Sequence, residues 1–343
     1  MHEPLSPRTL FVRTAAAAGL LALVMLACAL VGSEPISLKA VLAGASESGP
    51  VNPDYEILVR IRIPRVILAA IVGAALAAAG VTLQALLRNP LADPYILGVS
   101  SGAGLGAMLA VIGGFNWTLW GRSPIAVFAF AGALGAVWLV WSVGRITGRF
   151  HVTGLLLAGV VVNAFFSAII MFLTSIAKSD QLHTTMFWLM GNMAEEDLLV
   201  LWLGGGCVAA GVVALYFLSP QLNAISFDPM DARSMGIHVE QVQSAALAVS
   251  ALITAVAVSL SGLVGFVGLV VPHAVRLVLG PDHRQLLPIS TICGAVFLVV
   301  ADTAARVIVA PAQLPVGVVT AIIGGPFFLA LLMRYNRKVS WLR

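Results

Sequence analysis

Apolar blocks of about 20 residues recur along the whole chain, each closed by a short polar or charged interruption. A block of that length crosses a hydrocarbon core of ~30 Å as a helix. A spanning barrel would instead show segments of about ten residues alternating in polarity, and the blocks here are continuous. The pattern predicts ten spans, at about Leu10–Val31, Val66–Leu87, Ile96–Gly113, Ile125–Gly144, Leu155–Ala177, Leu198–Leu218, Val242–Ser261, Val264–Leu279, Leu287–Val309 and Val316–Met333. The expected fold class is an all-α polytopic membrane protein, with residues 1–343 forming one transmembrane domain.

The longest polar interruption between spans runs from Ser219 to Gln243. Within it, Asp228-Pro229 has the form of a helix N-cap with proline at the first helical position. The helix so opened, about Pro229–Met235, is expected to stop at Gly236, a C-terminal breaker. A second short helix starts near Val239 and runs into the next span. Two short helices around a glycine make a compact knob, better suited to docking than to linking.

Composition agrees with the pattern. The 343 residues are 60% hydrophobic and 10% charged, with a mean hydropathy of +1.01. A soluble chain carries about 25% charged residues to face water, so no large soluble domain is expected. The net charge of +4 reflects topology before it reflects any partner, and no nucleic acid is implied. Placing the N-terminus in the cytoplasm puts 12 basic residues inside and 7 outside, the direction of the positive-inside rule. Arg60, Arg62 and Arg65 crowd together on the wrong side and call for a separate explanation.

Arg8 and Arg13 precede the apolar stretch from Thr14 to Ser33, which resembles a secretory signal. A signal's apolar core spans about 7–15 residues, so this longer stretch reads as an uncleaved first helix. Cys28, Cys207 and Cys293 each fall inside a span. They imply neither a disulfide framework nor a metal cage. No G-x-x-x-x-G-K-[ST], H-E-x-x-H or C-x-x-C motif occurs. The chain is therefore expected neither to hydrolyse ATP itself nor to hold a catalytic metal.

Several residues carry candidate chemistry. Arg62 and Arg65 flank Pro64 at the mouth of the second span. They read either as snorkelling anchors for lipid headgroups or as a patch for acidic side chains of an external protein, since guanidinium forks match carboxylates. Asp302 and Arg306 stand four apart near the outer end of the ninth span, the spacing of an ion pair on one helix face. Gly98, Gly102, Gly104, Gly106, Gly262, Gly265 and Gly268 suit close packing of membrane helices. His183, Met186, Trp188 and Met190 could suggest haem ligands, but an interfacial aromatic belt explains them better. His273 reads as a packing or hydrogen-bonding residue.

Five ordered motifs carry a resemblance that covers essentially the whole length. They are Arg62 to Ala103, with Arg88-Asn89-Pro90-Leu91-Ala92-Asp93-Pro94 at its centre, Phe187 to Gly191, Ala232 to Ile237, Gly265 to His273, and Leu314 to Ala321. With them the chain resembles the FecCD-type permeases of ABC importers for iron-siderophores, haem and cobalamin. The resemblance implies ten helices per subunit, a homodimer with the pathway on its two-fold axis, and two separate cytoplasmic ATP-binding subunits using ATP and Mg. It further implies a periplasmic substrate-binding protein, a place in the bacterial inner membrane with both termini cytoplasmic, and no cofactor in this chain. Arg62, Arg65 and Arg306 would receive the binding protein's glutamates. The knob, Gln221–Val239, would be the pair of coupling helices that contact the ATPases through Asp228, Asp231, Ala232, Arg233, Met235, Gly236 and Ile237. Asn89 and Leu91 match positions near the cytoplasmic gate. Val152 and Thr153 match a second gate segment, although Phe150-His151-Val152 departs from its commoner polar pattern.

The implied mechanism is alternating access, in which this chain supplies a shaped path and a two-state element. An iron chelate is the favoured cargo, with cobalamin next and haem third. An ion-coupled transporter would keep intramembrane carboxylates for its ion, and Asp302 is the clear candidate. An intramembrane enzyme would need catalytic groups at spacings that this sequence does not show.

Overall fold

The computed structural model describes residues 6–42, 44, 52–115, 117, 123–146, 152–193 and 198–340. The described residues form helices joined by short connections, and no strand occurs among them. In chain order the helices are α1 (Pro7–Leu30), α2 (Leu38–Leu42), α3 (Pro53–Tyr55), α4 (Ile63–Leu86), α5 (Val99–Gly113), α6 (Pro124–Ile146), α7 (Val152–Ile176) and α8 (Ser179–Leu189). They continue as α9 (Leu198–Phe217), α10 (Ser219–Phe227), α11 (Pro229–Ser234), α12 (Val239–Ser261), α13 (Val267–Leu279), α14 (His283–Val307) and α15 (Val316–Ser340). Seven are long and apolar enough to cross a membrane, and α5, α13 and the apolar part of α15 are shorter apolar helices. Together they match the ten predicted spans.

Several ends differ from the sequence reading. The second span begins earlier than Val66, because α3 and a π-helical stretch, Glu56–Arg62, feed directly into α4. Charged residues at 54, 56, 60 and 62 hide that extension from a hydropathy count. The outer segment around His183 is itself a helix, α8, and the knob holds an additional helix, α10. Pro220 in the first turn and the buried pair Leu222 and Ile225, three apart, are its sequence signature.

Capping explains several starts. Ser6 Oγ accepts from Thr9 N at 3.1 Å and Pro7 opens α1. Asp282 caps α14 through Arg284 N at 3.0 Å. Each satisfies a backbone donor that a helix start leaves without an intrahelical partner.

α4 is the centre of the bundle. It packs against α14 along most of its length and also against α12, α13 and α9. Val72, Ala75, Ala77, Ala78 and Ala79 have no exposed surface. Lipid tails give no hydrophobic drive between helices, so tight backbone approach supplies the attraction. Glycine faces glycine at three such crossings: Gly73 with Gly294, Gly80 with Gly268, and Gly102 with Gly132, and a methyl group at any of them would strike the facing backbone or side chain. The packing role expected for Gly102, Gly106 and Gly268 follows from the same measurement. Around Gly265, by contrast, the space is open.

The links 87–98 and 262–266 are not α-helical, and they satisfy each other. Tyr95 Oη donates to Val264 O and accepts from Val264 N, both at 3.0 Å. From α4, Gln84 Nε2 reaches the carbonyl of Ala92 in the first link at 3.5 Å. Irregular backbone survives inside a membrane protein only when protein groups meet its polar atoms in this way.

Candidate functional site: an arginine cluster and a helical knob at opposite ends of α14

At the start of α4 the three clustered arginines have different fates. Arg60 is exposed and pairs with Glu56 at 2.9 Å on the surface. Arg62, only 4% exposed, turns inward, donating to the carbonyl of Leu30 at 3.1 Å and to that of Glu34. It thereby fastens the chain leaving α1 to the head of α4. A methyl group on Gly32 would collide with its guanidinium, so the absent side chain there makes room for the fork.

Arg65 grips Asp302 with two nitrogens. Nε lies 3.1 Å from both carboxylate oxygens and Nη2 lies 3.0 Å from Oδ1, while Nη1 donates to Gln313 Oε1 at 2.8 Å. Arg306 approaches the same carboxylate from its own helix, Nε to Oδ2 at 3.2 Å, and Nη2 donates to Thr303 Oγ1 at 3.0 Å. Arg306 Nε has no well-aligned hydrogen-bond acceptor, so that contact is electrostatic only. The predicted pair Asp302–Arg306 is therefore one side of a buried triad that also ties α4 to α14. With Asp302 held from both sides, its carboxylate has no free face for a coupling ion. Beside Arg65 opens a cavity of about 200 Å³ lined by Phe187, Asn192, Met193, Gln313 and Leu314 among others.

The turn Asp228–Gly236 forms as its sequence predicts, but the helix expected to start near Val239 is not short: it is the first turn of the 23-residue α12. Asp228 Oδ1 accepts from Met230 N at 2.6 Å, Pro229 opens α11, and Gly236 ends the turn with φ of +83°. Ala232 is buried with Ile225 and Val239, and Ile237 packs against them. Met230, Asp231, Arg233, Met235 and Gly236 face outward, and Arg233 makes an exposed 3.3 Å pair with Glu240. The exposed face is thus sulfur-rich and mixed in charge.

Asn89 shapes the turn after α4, its Oδ1 accepting from Leu91 N at 2.9 Å. Asp93 caps the next 3-10 turn, Pro94–Leu97, through Tyr95 N at 2.8 Å. Burial pushes the Asp93 carboxyl up to about 6, against the opposing pull of the Tyr95 N–H. Val152 and Thr153 open α7; their side chains lie outside the described residues, so the second gate segment has no side-chain geometry to set beside Asn89 and Leu91. His183 is exposed and packs against Phe187 with ring centroids 4.5 Å apart and planes tilted by 36°. Among the described residues no group of His, Cys, Asp and Glu could hold a metal ion. His273 Nδ1 is buried without a hydrogen-bond partner, so its expected hydrogen-bonding role is unsupported at that atom.

An apolar cleft of about 460 Å³ lies between the end of α8 and the start of α15, lined by Leu189, Met190, Leu263, Gly317, Val318, Ala321 and Ile322. It contains no charged side chain.

A helical bundle with a tight glycine-packed centre, a charged cluster at one end of α14 and a capped knob at the other defines a multi-pass membrane protein. The FecCD transport family model matches residues 20–334, and the chain belongs to that family of ABC importer permeases. The cobalamin import system permease BtuC of Halobacterium salinarum is 38% identical, over 93% of this chain and 95% of its own. The hemin transport system permease HmuU of Yersinia pestis is 39% identical, over 83% of this chain and 86% of its own. A chain solved in an inward-facing conformation and assigned to the metal-chelate type of ABC transporter superposes with a TM-score of 0.78 at 28% identity, covering 96% of this chain and all of that one.

Proposed function

We propose that this chain imports a bulky metal chelate as one half of a permease homodimer. Two cytoplasmic ATP-binding subunits supply the hydrolysis of ATP with Mg, and a periplasmic binding protein delivers the cargo. On this reading the chain lies in a bacterial inner membrane with both termini cytoplasmic, and it carries no cofactor of its own. The observation that supports it most is the knob: a short helix capped by Asp228, standing out from an otherwise apolar bundle with Met230, Arg233 and Met235 exposed. Such a projection is suited to a cleft in a soluble subunit.

A ferric siderophore is the proposed cargo, with cobalamin and haem as alternatives; relatives named for cobalamin and for hemin are about equally identical to this chain. The charge-free cleft at Leu189, Leu263 and Ala321 suits a large ligand that must pass without sticking. Docking of the binding protein is assigned to Arg65 first, because the cavity beside it gives a partner's carboxylate a way in. Arg306 and Arg62 back it with positive charge. Asn89, Leu91, Val152 and Thr153 remain the proposed gate.

The test is ligand binding by the partner periplasmic protein, titrated with ferric siderophores, cobalamin and haem. Tight binding of a ferric siderophore is the expected result, and binding of none of the three overturns the import of a chelate. Docking is checked with Arg65→Lys, which keeps a cation for Asp302 but loses the fork, in a complex whose assembly and thermal midpoint are measured alongside. Binding-protein affinity at low salt should weaken, and unchanged affinity overturns the docking role.

A further inference from the structure

The knob and α14 are far apart in sequence, with α12 and α13 between them, so any force passing directly from one to the other must cross a non-covalent contact. One side chain makes that contact directional. Asn223, half-buried on α10, places Oδ1 2.8 Å from His283 N and 2.6 Å from His283 Nδ1. Its Nδ2 donates to Asp282 Oδ1 at 2.7 Å. An amide oxygen only accepts and an amide nitrogen only donates, so the two contacts fix both the amide's orientation and the proton on His283 Nδ1.

The same three residues build the first turn of α14. Asp282 Oδ1 accepts from Arg284 N at 3.0 Å, and its carboxylate also holds the Arg284 guanidinium, the closest approach being 2.9 Å. Burial pushes the Asp282 carboxyl up, but hydrogen bonds from Arg284 and Asn223 outweigh it and hold the group below the ordinary carboxylate range. Asp282 therefore stays ionised and keeps the Asn223 amine turned towards it. In effect α14 is capped twice, once by its own Asp282 and once by a side chain from α10.

From that cap α14 runs 25 residues, roughly 37 Å at 1.5 Å per residue. Its far end carries Asp302, which holds Arg65 of α4. Between the two ends it is packed along α4, with Gly73 and Gly294 in backbone contact. Pro288 interrupts the intrahelical ladder close to that cap, so movement entering there reaches the far end through the stretch of α14 packed on α4.

We infer that Asn223 is a positioning residue through which movement of the knob is delivered to α14 and so to the Arg65–Asp302 clasp. This rests on the reading of the knob as the contact for ATP-hydrolysing subunits. Asn223 is absent from the residues expected to touch those subunits, and its role is to connect their movement to the opposite end of the bundle.

The experiment uses the full complex in proteoliposomes, with the binding protein added or withheld, and reads ATP hydrolysis. Asn223→Asp keeps the acceptor for His283 but sets a carboxylate against Asp282. It should retain its ATP-hydrolysing subunits and basal hydrolysis while losing ~5-fold or more of the stimulation by binding protein, the low end of ordinary allosteric coupling. Asp282→Asn added to it restores a donor facing an acceptor and should restore stimulation, which a general loss of stability would not do. Asn223→Ala, which removes the amide without adding charge, should also lose stimulation and serves if Asn223→Asp fails to assemble. Stimulation unchanged in Asn223→Ala, or lost equally in Asn223→Asp and in the double variant, overturns the inference while leaving the knob reading intact. A wild-type chain that retains no ATP-hydrolysing subunit overturns both.

Discussion

Arg65 and Asp302 lie 237 residues apart in sequence and meet through a forked contact of 3.0–3.1 Å. That contact joins the first turn of α4 to the last turns of α14. Asp302 is 1% exposed and faces a second cation, Arg306. Removing one partner of a buried ion pair typically costs ~3–5 kcal/mol, because the remaining charge is left without compensation. Asp302→Ala should therefore lower the thermal midpoint of the purified protein far more than Arg60→Ala, whose exposed pair contributes at most ~1 kcal/mol. Equal midpoints for the two variants would show that the triad does not hold the helices together.

The turn at Gly236 gives a second expectation. Its φ of +83° is one that β-branched residues adopt only under strain, while the space around it is open. Gly236→Val should thus alter the path of the knob without disturbing the bundle. Retention of the protein in the membrane with transport per ATP reduced is the outcome expected, and normal stoichiometry in a reconstituted system would remove the coupling role of this turn.

A pH dependence follows from Asp93. Its folded carboxyl titrates at about 6 against an ordinary 3.8, so between those values the folded state binds more protons than the unfolded state. Stability then falls as pH rises through that window and levels off above it. Asp93→Asn should remove this component of the slope. The measurement is thermal midpoint against pH for both proteins, and parallel curves would contradict the assignment.

Gly80 lies against the backbone of Gly268, with no room for a methyl group. Gly80→Val should separate α4 from α13, and overpacking of this kind costs about 1–3 kcal/mol or more. The midpoint should drop, whereas Gly19→Val on α1, where nothing lies within 4 Å of the added carbon, should leave it nearly unchanged.

Most of the architecture was legible in the sequence because bilayer thickness sets a length that apolar blocks either meet or miss. The knob was legible because capping has a local signature, and Asp228, Pro229 and Gly236 occupy the expected roles. What the sequence concealed was long-range. Arg62, Arg65 and Arg306 read as one basic patch, yet Arg62 is spent on the carbonyls of Leu30 and Glu34. Arg65 is held by a carboxylate 237 residues away. No periodicity reports such a partner. Asn223 escaped for the same reason: an asparagine on a short polar helix looks solvated until His283 is found beside it.

The uneven burial of the spanning helices bears on how this sequence is free to drift. In the span containing α4, 78% of the most apolar window is enclosed by the protein, and in α1 none is. On the exposed face of α1 an exchange of one apolar residue for another meets no neighbouring helix, whereas Val24, Met25, Cys28 and Ala29 pack against the core. In α4 the same exchange has to fit between neighbouring backbones. Random apolar replacements should therefore accumulate on the exposed face of α1 and be purged along α4, so that two helices of like hydropathy come to differ in how much ancestry their residues preserve.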